Sequence, residues 1–313
     1  MPLDPALAAV LQMMADNGTP SMSSGTPAQA RAGFCFLTVD LRDPANLAQV
    51  GSVEERTVPG AAGEVPARVY RPATEGPHPT IVFFHGGGFV IGDLDTHDDH
   101  TRLLCRDVDA VVVSVDYRLA PETPFPGGYQ DCLAATLWAV EHAAELGGDA
   151  SRVAVAGDSA GGNLSAAVTL GARDRGVQLA AQLLLYPGVD FVDSEDHPSR
   201  VDNAEGYFLT ADDMTWFGDH YLPDPTRRTD PYASVLRAPD LTNLPPAVIA
   251  TAEYDPLRDE GEAYATALEK AGVPVVLRRF DGLIHGFFGL PHVSPACAEA
   301  NRVLCRDLKA LLA

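Results

Sequence analysis

At 313 residues the chain is long for one average domain but ordinary for an α/β fold around a single core, so one catalytic domain carrying an insertion is expected. Hydrophobic residues make up 46% and charged residues 21%, which argues against a disordered chain, and no apolar run is long enough for a membrane-spanning helix. The net charge of −21, from 43 acidic against 22 basic residues, argues against nucleic acid and anionic membranes as partners.

In chain order, residues 1–45 read as helix plus irregular chain with no strand partner. The Ala/Leu-rich stretch 7–14 is flanked by Asp4 and Asp16, and no Lys or Arg precedes Arg31. A secretory signal needs a basic start, so the expected compartment is the cytoplasm. Short apolar runs then alternate with Gly/Pro/Asp turns and helical patterns. The strand candidates are 80–84, 110–115, 152–156, 181–186, 247–252 and 275–279, and their Val/Ile/Leu density suits strands covered on both faces. Helical patterns occupy 96–107, 129–145, 162–173, 257–271 and 295–312. The alternation predicts an α/β fold: a mostly parallel central sheet wrapped by helices. Residues 190–241 break it, being rich in Asp, Pro and aromatics with one helix at 211–221. The expected organisation is a cap segment 1–45, a catalytic domain in two parts, 46–189 and 242–313, and a cap insertion 190–241 over the sheet's C-terminal edge, where open α/β sheets bind ligands. The five cysteines are scattered, with no C-x-x-C pair, and read as reduced thiols. Strand 275–279 can lie at the sheet edge and pair in a homodimer, although Arg278 and Arg279 can equally protect that edge.

The chemistry is carried by three places. Gly157-Asp158-Ser159-Ala160-Gly161 is G-x-S-x-G at a strand-to-helix junction, where a nucleophile on a strained turn needs small residues on both sides. His85-Gly86-Gly87-Gly88-Phe89 follows a strand, and its glycines expose backbone N–H groups that suit an oxyanion hole shared with the N–H of Ala160. A base and an orienting acid should follow in the order Ser, Asp, His, each after a strand; Asp255 and His285 stand there. The glycines also suggest an alcohol site with room for bulky groups.

At these residues the chain resembles the bacterial hormone-sensitive-lipase-like, or family IV, esterases. The resemblance is carried by His85-Gly86-Gly87-Gly88, Tyr117-Arg118-Leu119-Ala120-Pro121-Glu122, Gly157-Asp158-Ser159-Ala160-Gly161-Gly162-Asn163, Asp255-Pro256-Leu257-Arg258-Asp259-Glu260 and His285-Gly286-Phe287. It implies an α/β-hydrolase fold with a helical cap, Ser159, Asp255 and His285 as triad, and oxyanion amides from Gly87, Gly88 and Ala160. The expected function is a serine carboxylesterase acting on small, short to medium acyl esters. The alternatives are an amidase or formamidase on the same fold, or a non-catalytic small-ligand receptor. Plant gibberellin receptors resemble this family but lack the catalytic histidine; His285 is present here. His85, Asp158 and Glu260 are expected to support the site by hydrogen bonding rather than transfer protons. Phe208, Leu209, Trp216 and Tyr221 are candidates for the substrate pocket or for the cap's own packing. His97-Asp98-Asp99-His100 has the histidine spacing of a metal site, but the resemblance favours a solvated helix N-terminus whose acids complement the macrodipole. No metal or cofactor is expected.

Overall fold

All six apolar runs expected as strands lie in one eight-stranded sheet, five of them in its interior and 275–279 at an edge. The computed structural model describes residues 1–192 and 196–313; residues 193–195 of the expected insertion lie outside the described residues. The strands are β1 (Ser52–Gly60), β2 (Gly63–Arg71), β3 (His78–Phe84), β4 (Val111–Val115), β5 (Gly148–Asp158), β6 (Ala181–Leu185), β7 (Ala247–Tyr254) and β8 (Val275–Ile284). The helices are α1 (Pro5–Asp16), α2 (Pro27–Cys35), α3 (Asp98–Leu104), α4 (Gly127–Glu141), α5 (Ala143–Leu146), α6 (Ala160–Arg173), α7 (Ser199–Asp202), α8 (Ala211–Tyr221), α9 (Arg258–Lys270) and α10 (Pro295–Leu311).

Strand order across the sheet is β1-β2-β4-β3-β5-β6-β7-β8. From β4 to β8 every pairing is parallel, while β1 with β2 and β2 with β4 are antiparallel. Every residue of β3, β4 and β6 is buried, as parallel strands covered on both faces should be. Side-chain alternation divides the core in two. Val82, Phe84, Val113 and Val155 pack with Leu133 of α4, Leu164 of α6 and Leu268 of α9. Ile81, Phe83, Val112 and Ala154 pack with Leu7 of α1, Leu104 of α3 and Leu304 and Leu308 of α10. Each such buried Leu or Phe contributes on the order of 1.5–3 kcal/mol relative to exposure.

The β1–β2 hairpin escaped the sequence reading because an edge strand carries charge instead of an apolar run: six of the nine β1 positions are exposed, among them Glu54 and Glu55. The 275–279 segment is not covered on both faces. β8 is the opposite edge, with Leu277, Arg278 and Arg279 exposed, and the two arginines pair with Asp307 at 2.8 Å and Asp281 at 3.0 Å. The 129–145 pattern is broken at His142 into α4 and α5. All five thiols are free, four of them buried and Cys35 half-buried. Among the described residues no helix is long and apolar enough to cross a membrane.

The N-terminal segment and the 196–241 stretch meet over the sheet. Helix α8 starts at Thr210 through a reciprocal Thr210–Asp213 capping box, and Asp213 also accepts the Ser23 N–H at 2.9 Å. Arg31 of α2 donates to the carbonyls of Val90 at 2.8 Å and Ala120 at 3.0 Å, and pairs with Glu122. Because β3, β5, β7 and β8 run parallel, the segments that follow them emerge at one edge of the sheet.

Candidate active site

Ser159 is the one residue between β5 and α6, and it holds φ 54° and ψ −115°. A side chain at positive φ costs on the order of 1–2 kcal/mol and persists only where surroundings impose it. Here the Ser159 N–H donates to the Leu185 carbonyl of β6 at 2.8 Å. The flanking glycines are required by contact. A Cβ on Gly157 would stand 2.6 Å from the Phe84 carbonyl oxygen, and one on Gly161 would overlap that same oxygen and lie 2.8 Å from the His85 oxygen.

Asp255 follows β7 and His285 follows β8. The Asp255 carboxylate is fully buried; Oδ1 accepts the Leu257 N–H at 2.8 Å and Oδ2 faces His285 Nδ1 at 2.8 Å. His285 Nε2 lies 2.9 Å from Ser159 Oγ. The carboxylate can only accept, so it selects the Nδ1–H tautomer and leaves the Nε2 lone pair toward the hydroxyl. Neighbours brace both loops. Asn203 donates to the Asp255 carbonyl at 3.2 Å, Glu253 accepts the Gly282 N–H at 2.7 Å, and Tyr186 meets the His285 ring edge-on at 4.8 Å. The sequence reading missed all three, because their contacts join segments far apart in the chain.

After β3, the Gly86 N–H is committed to Asp158 Oδ1 at 2.9 Å. The N–H groups of Gly87, Gly88 and Ala160 take no protein acceptor among the described residues. Gly87 and Gly88 have φ of 109° and 58°. The His85 ring stacks on Tyr117 at 4.4 Å, its Nδ1 is 2.7 Å from the Gly86 oxygen, and Tyr117 Oη–H donates to the His85 carbonyl at 2.7 Å. Burial pushes the His85 imidazole down to about 4, so it is neutral.

The glycine loop does not leave its missing Cβ positions to a substrate. A Cβ on Gly86 would be 2.9 Å from the Asp158 carbonyl oxygen, one on Gly87 2.7 Å from the Ile91 carbonyl carbon, and one on Gly88 2.6 Å from Cδ2 of Phe217. Packing uses that space, so the missing Cβ atoms are not what would give a bulky alcohol group room. Phe217, on α8, is therefore the ring lying on the loop. Of the four residues named from sequence, Phe208 approaches Gly286, 3.6 Å from where its Cβ would be, and Leu209 is buried. Trp216 packs edge-on to Phe217 at 5.1 Å, and Tyr221 is stacked at 3.7 Å on Phe89 in the core.

The 97–100 segment is not a solvated helix N-terminus. His97, Asp98 and His100 are buried, because the segment turns inward beneath the glycine loop. His97 Nε2 lies 3.5 Å from Asp158 Oδ1, His100 Nδ1 lies 2.8 Å from Asp99, and Asp98 accepts from Tyr70 at 2.7 Å and Arg102 at 2.7 Å. The candidate donors of His97, His100 and Asp158 lie within 4.8 Å of one another. A metal about 2.1 Å from each donor spans at most about 4.2 Å, so the cluster would have to contract to hold one. Glu260 is also buried. It accepts the Val189 N–H at 2.6 Å and pairs with Arg200 at 2.6 Å, fastening the 196–241 stretch to α9. Burial raises its carboxyl, against the pull of Arg200.

Residues 81–289, more than half of the chain, match the family model described as alpha/beta hydrolase fold. The carboxylic ester hydrolase LipN of Mycobacterium tuberculosis is 48% identical over 267 residues, covering 83% of this chain and 70% of that protein. An ethyl acetate hydrolase of Pseudomonas putida is 40% identical over 252 residues, covering 79% and 78%. The solved hyperthermophilic esterase from the archaeon Pyrobaculum calidifontis is 42% identical and superposes with a TM-score of 0.94 over 100% of both chains. A β-sheet of this order, a serine elbow at its C-terminal edge and relatives this similar along most of their length leave one assignment: the chain belongs to the hormone-sensitive-lipase-like, family IV esterases of the α/β-hydrolase superfamily and is a carboxylic ester hydrolase.

Proposed function

We propose that this hydrolase cleaves short to medium acyl esters through a Ser159–His285–Asp255 triad and an acyl-enzyme. The observation that carries the reading is the unbroken contact path from Asp255 through His285 to Ser159, at 2.8 and 2.9 Å. Ser159 Oγ attacks the ester carbonyl carbon while His285 Nε2 takes its proton, and Asp255 stabilises the imidazolium. The carbonyl oxygen becomes an anion accepted by the N–H groups of Gly87, Gly88 and Ala160. The C–O bond to the alcohol then breaks and the imidazolium protonates the leaving oxygen. Water, deprotonated by His285, repeats the sequence on the acyl-enzyme, releasing the carboxylic acid and restoring Ser159.

The short-chain preference is supported by the relative named as an ethyl acetate hydrolase and by the rings of Phe208 and Phe217, which crowd the two sides of the site. The test is a p-nitrophenyl ester series run beside matched anilides, with wild type and Ser159→Ala. Rates should peak at short acyl chains, exceed those on anilides and fall below a few per cent in the variant. Substantial turnover by Ser159→Ala refutes the nucleophile, and rates that rise above the solubility limit of a long-chain triglyceride refute the substrate class.

A further inference from the structure

The two halves of the oxyanion hole proposed above are joined by one hydrogen bond. Gly86 immediately precedes Gly87 and Gly88, Asp158 immediately precedes Ser159 and Ala160, and the Gly86 N–H donates to Asp158 Oδ1 at 2.9 Å. Both residues are buried, so the spacing between the loop amides and the Ala160 amide depends on where the Asp158 carboxylate stands. A buried carboxylate stays charged only beside a cation or strong donors. Among the described residues the one basic side chain within 4.0 Å of the Asp158 carboxylate is His97, whose Nε2 lies 3.5 Å from Oδ1.

His97 is itself held in place. Its Nδ1 lies 2.9 Å from Thr96 Oγ1, which is in turn fixed by the Asp93 backbone, and its ring packs against His85, Phe83 and Phe34. Burial would raise the Asp158 carboxyl, but His97, His100 and His85 outweigh it and hold it below the ordinary carboxylate range. We infer that His97 is a positioning residue for ester hydrolysis: it anchors the charged Asp158 carboxylate, whose bond to the Gly86 N–H sets the Gly87 and Gly88 amides at oxyanion distance from Ser159.

Charge-assisted hydrogen bonds are roughly twice as strong as neutral ones, and oxyanion donors act only within about 2.7–3.1 Å of the developing charge. Loss of the pair therefore lowers kcat with little change in KM, because the anion exists only beyond the ground state. The inference rests on the proposed oxyanion hole, and the experiment separates the two. His97→Gln, His97→Phe, Asp158→Asn and the double variant His97→Phe/Asp158→Asn are assayed on p-nitrophenyl acetate, with kcat normalised to serine titrated by an organophosphate. Affinity for a trifluoromethyl ketone, whose serine adduct carries an oxyanion, is measured in parallel.

The expected result is a fall in kcat per titrated site of roughly tenfold to a hundredfold in His97→Phe, short of the 10²–10³ for outright loss of an oxyanion donor. KM should stay within about threefold and ketone affinity should fall with kcat. His97→Gln, which can still donate a hydrogen bond toward Asp158, should retain more activity, and the double variant should be no worse than the poorer single one. A merely structural role would reduce the titratable fraction and leave kcat per site unchanged, which overturns the inference. So do effects that multiply in the double variant, or a kcat loss without loss of ketone affinity. A wild-type enzyme indifferent to the ketone would instead overturn the oxyanion-hole reading beneath it.

Discussion

Phe217 lies against Gly88 so closely that a Cβ on the glycine would come within 2.6 Å of ring carbon Cδ2. Helix α8 thus rests directly on the loop expected to bind the oxyanion. The methyl of Gly87→Ala would meet the Ile91 carbonyl and that of Gly88→Ala the Phe217 ring. Both positions also have positive φ, where a side chain is strained. Each variant should therefore lose about 10²-fold or more in kcat/KM, as expected when an oxyanion donor is displaced. The loss should be the same for ethyl acetate and tert-butyl acetate. A selective loss of tert-butyl turnover in Gly87→Ala would place the methyl in the alcohol site and refute this packing argument.

The motif after β7 offers two carboxylates, and their contacts distinguish them. Asp255 faces His285 Nδ1, whereas Asp259 accepts the Ser199 N–H and pairs with Arg258 at 2.8 Å. Asp255→Asn should fold normally and lose about 10⁴ in kcat, since an amide no longer stabilises the imidazolium or fixes its tautomer. Asp259→Asn should stay within about tenfold of wild type, its effect passing only through the short helix α7. If steady-state rates reverse that order, the orienting acid has been misassigned.

These contrasts mark what one sequence can carry. Strands covered on both faces are apolar along their length, so β3 to β7 were legible as apolar runs, and α8 was legible from its aromatic, capped segment, with bounds matching at 211 and 221. The order of serine, aspartate and histidine after β5, β7 and β8 was legible because parallel strands deliver their ends to one edge. An edge hairpin is built from charge alternating with small apolar residues, so β1 and β2 left no run to read. His97 and His100 look like a polar helix start, because nothing local records that Asp158 will fold over them. The site's supporting polar contacts are long-range, and periodicity is a local signal.

The stretch after β6 is clamped by charge. Arg200 reaches Glu260 through Nε at 2.9 Å and Nη2 at 2.6 Å, and Glu260 is 1% exposed. Removing one member of a buried pair costs about 3–5 kcal/mol because the other charge is left uncompensated. Arg200→Met should lose stability of that order in urea unfolding. Adding Glu260→Gln, which keeps an acceptor for the Val189 N–H, should recover at least about 1 kcal/mol. Losses that simply add would show that the two side chains do not act as a pair.

His85 makes a separable contribution to acid sensitivity. Its folded value of about 4 lies below the ordinary 6.5, chiefly through burial and then through His97. Between these values the unfolded chain takes up a proton that the folded protein does not, so the contribution is fully present above about pH 6.5 and is lost as pH falls toward 4. The gap corresponds to about 3 kcal/mol. Neighbouring groups act in other directions. The His100 value is raised, with burial opposed by Asp99, so its contribution is lost as pH rises; Asp99, held at about 2 by His100 and Arg42 against burial, acts only in stronger acid. The comparison is therefore with His85→Asn, which keeps a donor for the Gly86 carbonyl and cannot titrate. Unfolding free energies measured from pH 7 to pH 4 should fall more steeply in wild type than in the variant, by about 3 kcal/mol in all. Parallel curves would mean that the His85 ring is protonated as readily in the folded protein as in the open chain, and that its stacking on Tyr117 does not exclude charge.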